Sequence, residues 1–198
     1  MKEDNKGTRQ HILDAGYRLI ARKGFSSVGL AEILQSAGVP KGSFYYYFKS
    51  KEQFGEEVIA NYFREYLVAL EDIFQPRRGP AYNRLMEYWQ RWIDTQVDEC
   101  SDQKCLVVKL SAEVSDLSEP MRLALLNGSA LVVNRIAQCI EEGIADGSIV
   151  KMNVGIAAEL LYNMWLGATL MSKLQRSADG LLQAMQTTTS ILTSKTVA

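Results

Sequence analysis

The sequence predicts an all-α chain: a three-helix head containing a helix-turn-helix, on a larger helical body, with about nine helices in all. Three observations predict this. Apolar residues recur at helical spacing through every long segment, and no strand-like alternation persists. Helix stop and start signals punctuate the chain at Gly24, Gly38, Pro76–Pro80, Ser118–Pro120, Asp146–Gly147 and Asn153. The 198 residues are 47% hydrophobic, enough for a proper core.

Taken in order, residues 1–7 read as a polar, disordered arm, with Thr8 as the N-cap of a first helix. Ile12, Ala15, Leu19 and Ile20 form its stripe, and Gly24 ends it after Lys23. Leu30, Ile33 and Leu34 mark a second helix of about two turns. Gly38 follows Ala37 where a left-handed cap is needed, Val39 plugs the corner, and Pro40 suits the first position of a third helix. Two helices joined by a short glycine-containing turn make a helix-turn-helix. Ser50 caps a long fourth helix, whose stripe runs from Phe54 through Val58, Ile59, Tyr62, Phe63, Tyr66, Leu67 and Leu70 to Phe74. Pro76-Arg-Arg-Gly-Pro80 stops it. An aromatic helix follows over 81–98, a polar loop over 98–103, and a short helix from Cys105 to about Val114. A longer helix runs from Ser118-Glu119-Pro120 to Ile144. A brief extended piece at Ile149–Val150 is compatible with the pattern. Asn153 caps a helix to about Leu174, and the last runs from Ala178 to about Thr193.

Net charge is −1, but it is unevenly spread. Residues 1–51 carry nine Lys/Arg against four Asp/Glu, net +5, and the remainder thirteen against nineteen, net −6. A basic head on an acidic body suits a protein whose one end meets phosphates. No stretch reaches about 18 uninterrupted apolar residues, which argues against a membrane span, and the polar N-terminus lacks a signal-peptide core. Three cysteines without a regular framework argue for reduced thiols in the cytoplasm. The single histidine, His11, has no clustered partners, so no metal site and no cofactor are expected. It also leaves Cys105 without a plausible general base. With no Ser/His/Asp arrangement, no phosphate loop and no paired catalytic carboxylates, an enzyme is excluded as a reading.

Gly24-Phe25, Ala37-Gly38-Val39, Lys41-Gly42, Phe44-Tyr45, Phe48 and Ser50-Lys51-Glu52 fall at the spacing of the TetR family of transcriptional repressors, which this segment resembles. Two positions depart from the family pattern. Gly29 stands where Thr or Ser is usual, so a phosphate-touching hydroxyl is missing. Leu34 stands where alanine is commoner. The resemblance implies a DNA-binding domain over residues 1–51 and a ligand-sensing and dimerisation domain over 52–198. On the third helix, Gly42 thins the backbone for close approach, and Lys41, Ser43, Tyr45 and Tyr46 are candidates for base contacts. Tyr47, Lys49 and Lys51, with Lys6 and Arg9 at the start of the first helix, are candidates for phosphates. Phe44 and Phe48 should be core. Three consecutive tyrosines span about 200° of helical arc, so one of them packs inward.

The resemblance further implies a homodimer whose four-helix seam is built from the last two helices, rich in Leu, Met and Ala. A two-fold partner lets two recognition helices read two half-sites of operator DNA. Family members release DNA when a small molecule enters the body, and Tyr62, Tyr66, Trp89, Trp92 and Trp165 are the candidate pocket aromatics, with plain core as the alternative. Lys104 to Pro120, with Trp165-Leu-Gly-Ala168, is similar to the NemR-like subgroup, which answers electrophiles and oxidants through a cysteine here. Cys105 begins a helix whose N–H groups favour a thiolate, and Lys104 and Lys109 add positive charge. Lys173, in the apolar run Trp165–Leu174, is a candidate half-buried lysine that stabilises or traps the oxidised sulfur. The alternatives are a packed thiol and a snorkelling lysine. Cys100 and Cys139 are weaker candidates, and a Cys100–Cys105 disulfide requires a mobile loop. The predicted function is a homodimeric repressor released from its operator by a small-molecule or electrophile inducer. Modification of Cys105 or ligand entry would pivot the long 52–74 helix and change the spacing of the heads. A ligand-gated activator, or an adaptor that binds protein through the head, is the rival.

Overall fold

The computed structural model describes residues 2–97 and 105–194, with side chains described from Gly7 onward and not at Val97. Among the described residues there are nine α-helices, one 3₁₀ turn and no strand. The helices are α1 Lys2–Lys23, α2 Leu30–Ala37, α3 Lys41–Tyr47, α4 Lys51–Ile73, α5 Ala81–Val97, α6 Leu106–Leu117, α7 Glu119–Asp146, α8 Val154–Gln175 and α9 Asp179–Thr193, with the 3₁₀ turn at Pro76–Arg78. They gather into two compact units. The first comprises Met1–Glu65 and Lys104–Gly128, and the second Tyr66–Gln103 and Ser129–Ala198. The chain therefore supplies part of α4 and part of α7 to each unit, and α6 belongs to the first.

In the first unit, α1 packs on α2 and α2 on α3. The core is Ile12, Leu13, Ile20, Phe25, Ile33, Phe44, Phe48, Phe54 and Ile59, all at 2% exposure or less. Close packing here depends on missing methyls. A Cβ on Gly16 of α1 would lie 2.2 Å from the Phe54 ring of α4, and one on Gly55 would lie 2.5 Å from Phe25 and 2.8 Å from Met121. The start of α1 corrects the sequence reading. The helix begins at Lys2, not at Thr8. The polar arm has no breaker stronger than Gly7, and Glu3 and Asp4 fall in the first turn, where acidic residues favour the helix dipole.

Local chemistry ends and starts the other elements. Gly38 adopts φ 62°, ψ 28°, its N–H bonding Gln35 O at 3.2 Å and that of Val39 bonding Leu34 O at 3.1 Å. A side chain there would be strained, which is why the corner takes glycine. Pro40 is the N-cap of α3, one position before the expected first turn. The hydroxyl of Ser50 accepts from Gln53 N at 3.1 Å, and Gln53 Oε1 reaches back to Lys49 N at 2.6 Å, a reciprocal pair of capping-box type. Asn153 Oδ1 caps α8 by accepting from Ile156 N at 3.2 Å.

The second unit packs α8 on α9 and α5 on α9. Its centre is an aromatic cluster. Trp89 stacks on Trp165 with ring centroids 4.6 Å apart and planes 9° apart, Tyr88 and Trp92 meet the pair obliquely, and Tyr162 meets Trp92 edge-on. Two buried threonines complete it: Trp92 Nε1 donates to Thr169 Oγ1 at 2.8 Å, and Trp165 Nε1 to Thr188 Oγ1 at 2.9 Å. Each indole N–H so paired avoids the cost of a buried unmade hydrogen bond. Ile149–Val150 is a short non-helical piece held by Ile149 N to Gly143 O at 2.9 Å and Val150 N to Leu192 O at 3.0 Å, with no strand to pair with among the described residues.

Candidate nucleic-acid interface and sensor helix

The seven residues of α3 divide sharply by burial. Phe44 is fully buried, and the following cap residue Phe48 is 1% exposed; both rings pack on Phe54, with centroids 5.3 and 5.0 Å away. The opposite face is open. Lys41 and Gly42 are exposed, Tyr45 is 51% exposed and Tyr46 is 70% exposed, while Ser43 and Tyr47 are intermediate. A Cβ on Gly42 would meet nothing within 4 Å, so this face of the helix is clear of the fold. Two adjacent aromatic side chains left in water beside a lysine are the kind of exposed patch that marks a contact surface. The Lys41 ammonium lies 5.9 Å from the Tyr45 ring centre, which groups cation and ring at the leading turn. Tyr47, meeting Tyr46 edge-on at 4.8 Å, is the tyrosine of the three that turns partly inward. Lys49 is exposed beyond the end of the helix.

Two of the expected phosphate cations are engaged in holding the head together. Arg9 pairs with Glu57 at 2.8 Å and covers the Phe48 ring at 5.4 Å. Lys51 donates to Phe25 O at 2.9 Å and covers the Phe25 ring at 4.4 Å. His11 Nε2 lies 3.1 Å from Ala37 O, so the lone imidazole braces the end of α2. The side chain of Lys6 lies outside the described residues.

Helix α6 carries the candidate thiol. Cys105 is its N-cap, 6% exposed, with Leu106, Val107, Leu110 and Val114 buried behind it. Lys104 and Cys100, and with them the suggested Cys100–Cys105 pairing, lie outside the described residues. Two turns along α6 stands a residue that sequence reasoning missed. Glu113 accepts from Phe25 N at 3.0 Å and Ser26 N at 2.5 Å, both in the loop between α1 and α2. Burial alone would raise its carboxyl pKa, but the hydrogen bonds from Ser26 and Phe25, helped by Lys109, outweigh it and hold the pKa below the ordinary value. Gly24, at φ 86°, makes room for it: a Cβ there would sit 2.9 Å from Glu113 Oε2. Cys139, by contrast, is fully buried, and desolvation pushes its thiol up to about 12, which leaves it unreactive near neutral pH.

The candidate pocket residues fall in both units. Tyr62 is in the first unit, stacked on Tyr17 at 6.0 Å. Tyr66 is in the second, where its hydroxyl lies 2.7 Å from that of Tyr88. Trp89, Trp92 and Trp165 are gathered in the aromatic cluster, at 0, 7 and 0% exposure. Trp89 Nε1 is buried there with no hydrogen-bond partner among the described residues. A cleft of about 740 Å³ in the second unit is lined by none of these residues; Pro76, Pro80, Arg84, Glu142 and Asp146 contribute to its wall. Lys173 is not half-buried. It is exposed in the last turn of α8, beside Leu170, Met171 and Leu174, which are themselves 56, 42 and 75% exposed. The run is apolar by sequence, but this part of α8 faces away from the subunit's own core.

Among the described residues, two helices are long and apolar enough to cross a membrane by length and composition, Glu119–Asp146 with mean hydropathy 1.4 and Val154–Gln175 with 1.2. The criterion of an uninterrupted apolar run misses them because scattered polar residues break each one. On α8 the exposed positions 156, 160, 163, 167, 170 and 174 recur at alternating steps of four and three, while Ala157, Ala158, Leu161, Tyr162, Trp165 and Thr169 fill the buried face. That alternation is the spacing at which one helix packs on another, and here it includes Asn163 and Gly167.

Comparison with known proteins agrees with this geometry. Residues 12–58 match the family model for bacterial regulatory proteins of the tetR family, and residues 81–188 match that for the tetracyclin repressor-like C-terminal domain. The chain is 37% identical over 185 residues to the HTH-type transcriptional repressor NemR of Escherichia coli strain K12, covering 93% of each chain. It is 33% identical over 176 residues to the HTH-type transcriptional repressor DhaR of Mycobacterium sp. strain GP1, covering 88% of this chain and 87% of the other. The crystal structure of the reduced form of E. coli NemR superposes with a TM-score of 0.90 at 38% identity, covering 96% of this chain and all of that one.

Proposed function

This chain belongs to the TetR family of bacterial transcriptional regulators and is a DNA-binding repressor, not an enzyme; from that premise we propose how it holds its operator and how it lets go. Residues 1–51 act as the DNA-binding domain, and the open face of α3 enters the major groove. Lys41, Ser43, Tyr45 and Tyr46 meet base edges, and Gly42 allows the backbone to come close. Tyr47 and Lys49 hold phosphates, while Arg9 and Lys51 set the pose of the head from within. The single observation that carries this reading is the division of α3: Phe44 buried, Tyr46 70% exposed two residues later. Since its target is operator DNA, the protein works in the cytoplasm.

Residues 52–198 provide sensing and assembly in this reading. Two copies join through α8 and α9, because α8 is apolar on both faces and one subunit covers only one of them. Cys105 is the sensor thiol in the NemR-like manner, supported by its place at the N-cap of α6. A small-molecule inducer enters the second unit at the tryptophans, where the unpaired Trp89 N–H offers a donor to an acceptor group on the ligand. Lys173, exposed next to the α8 seam, takes no part in this reading.

A labelled duplex from the region directly upstream of the chain's own gene is titrated with protein, and a thiol-alkylating reagent is then added. Wild type should bind in a salt-dependent manner that scrambled DNA does not reproduce, and should release on alkylation. A Cys105→Ser variant released as readily as wild type would remove the thiol switch while leaving the DNA reading intact.

A further inference from the structure

Family membership assigns DNA contact to residues in the first quarter of the chain. We propose that Glu113, about 60 residues beyond that segment, is a positioning residue for operator binding: from α6 it clasps the α1–α2 loop and so sets the pose of the helix-turn-helix. Four observations within the first unit carry this. Both carboxylate oxygens are used, one on Phe25 N and one on Ser26 N, at 3.0 and 2.5 Å. Neither amide donates within a helix, since α1 ends at Lys23 and α2 begins at Leu30, so the carboxylate supplies the acceptor these groups need. The loop is shaped to receive it, with Gly24 in the left-handed region, where a Cβ would sit 2.9 Å from Glu113 Oε2. The same short loop is gripped from the other side by Lys51, on Phe25 O and over the Phe25 ring.

The clasp thus connects three elements at one point: α6 through Glu113, α4 through Lys51, and the entrance to α2 through Ser26. Two charge-assisted hydrogen bonds to consecutive backbone amides fix direction as well as distance. The α2 helix that follows is the support of α3, so an error in the loop becomes a misplaced recognition face, and small misplacements are expensive in a groove read by short side chains. On the reading that Cys105 is the sensor, the clasp also lies eight residues along the same helix from the modified atom, so a shift of α6 reaches the head without passing through DNA-contacting residues.

The test uses the full-length chain, the same labelled upstream duplex, and two variants, Glu113→Ala and Glu113→Gln. Glu113→Ala should raise the operator dissociation constant about tenfold. Glu113→Gln should fall between it and wild type, since an amide oxygen replaces only one of the two acceptors. Hydrogen exchange at the Phe25 and Ser26 amides should quicken in both, while exchange in the second unit stays as in wild type; a general loss of structure would quicken exchange everywhere. The salt dependence of binding should keep its slope, because no phosphate contact is removed. Wild-type affinity in Glu113→Ala overturns the proposal, as does lost affinity with unchanged exchange at Phe25 and Ser26. Should Glu113→Ala fail to fold, Glu113→Gln decides on the same two readouts. Failure of wild type to bind the duplex would instead strike the operator reading, and is distinguished by needing no variant at all.

Discussion

The proposed α8 seam can be weighed quantitatively. Leu160 is 53% and Leu170 56% exposed in the single chain, on the stripe that repeats by fours and threes. Full burial of a leucine side chain is worth about 1.5–3 kcal/mol, so covering the exposed half of each is worth about 1 kcal/mol. A two-fold interface counts each residue twice. Truncating both positions to alanine leaves some apolar surface behind and should therefore cost about 3 kcal/mol per dimer, which is roughly a hundredfold in the dimer dissociation constant. Sedimentation equilibrium over a range of protein concentrations reads this directly, and operator affinity should fall at concentrations where the variant dissociates. Leu123 and Leu126 on α7 provide the control, being 39 and 54% exposed but off this stripe. A Leu160→Ala/Leu170→Ala variant that stays as dimeric as wild type, with Leu123→Ala/Leu126→Ala falling apart in its place, would refute the reasoning and move the seam to α7.

Further outcomes follow from the head and the thiols. Lys41→Ala should weaken operator binding and reduce the salt slope by about one if the ammonium meets a phosphate, or leave the slope and relax preference at one base pair if it meets a guanine; titration at several salt concentrations separates these. Tyr46→Ala should lose affinity with an unshifted melting curve, because its ring is already mostly in water. Cys139 should be the last thiol labelled by a maleimide at pH 7 to 8 and react freely only after denaturation, as read by mass spectrometry. For Glu113, whose folded-state pKa is lowered, the stabilisation is present above the unfolded carboxylate value and is lost as pH falls through the folded one. The melting-temperature gap between wild type and Glu113→Gln should therefore be full at neutral pH and close on acidification.

What the sequence made legible was whatever neighbouring residues decide among themselves. The Gly38 corner and the Ser50 and Asn153 caps rest on interactions within a few positions, and the burial of Phe44 and Phe48 follows from their four-residue spacing. What stays hidden in the sequence is what distant residues decide. Tyr62 and Tyr66 lie one turn apart on α4 and look equivalent in a helical stripe, yet one packs on Tyr17 and the other reaches Tyr88. The sequence offers Lys51 as a phosphate cation but does not show that one of its three N–H donors serves Phe25 O, 26 positions earlier. Glu113 carried no signal, because its partners stand 88 and 87 positions away and are backbone groups, which have no identity in a sequence. Lys173 was misjudged because the apolar run around it serves an outward stripe instead of the subunit's own core.

Gly16 beneath the Phe54 ring has a use that none of the operator or inducer contacts offers. One added carbon at this position must push the aromatic ring of α4 aside or lever the two helices apart, while leaving every recognition side chain chemically as it was. The position is a ready-made adjustment screw: graded enlargement, alanine and then serine, would tune the tilt of the reading head and turn operator affinity into a measure of angle.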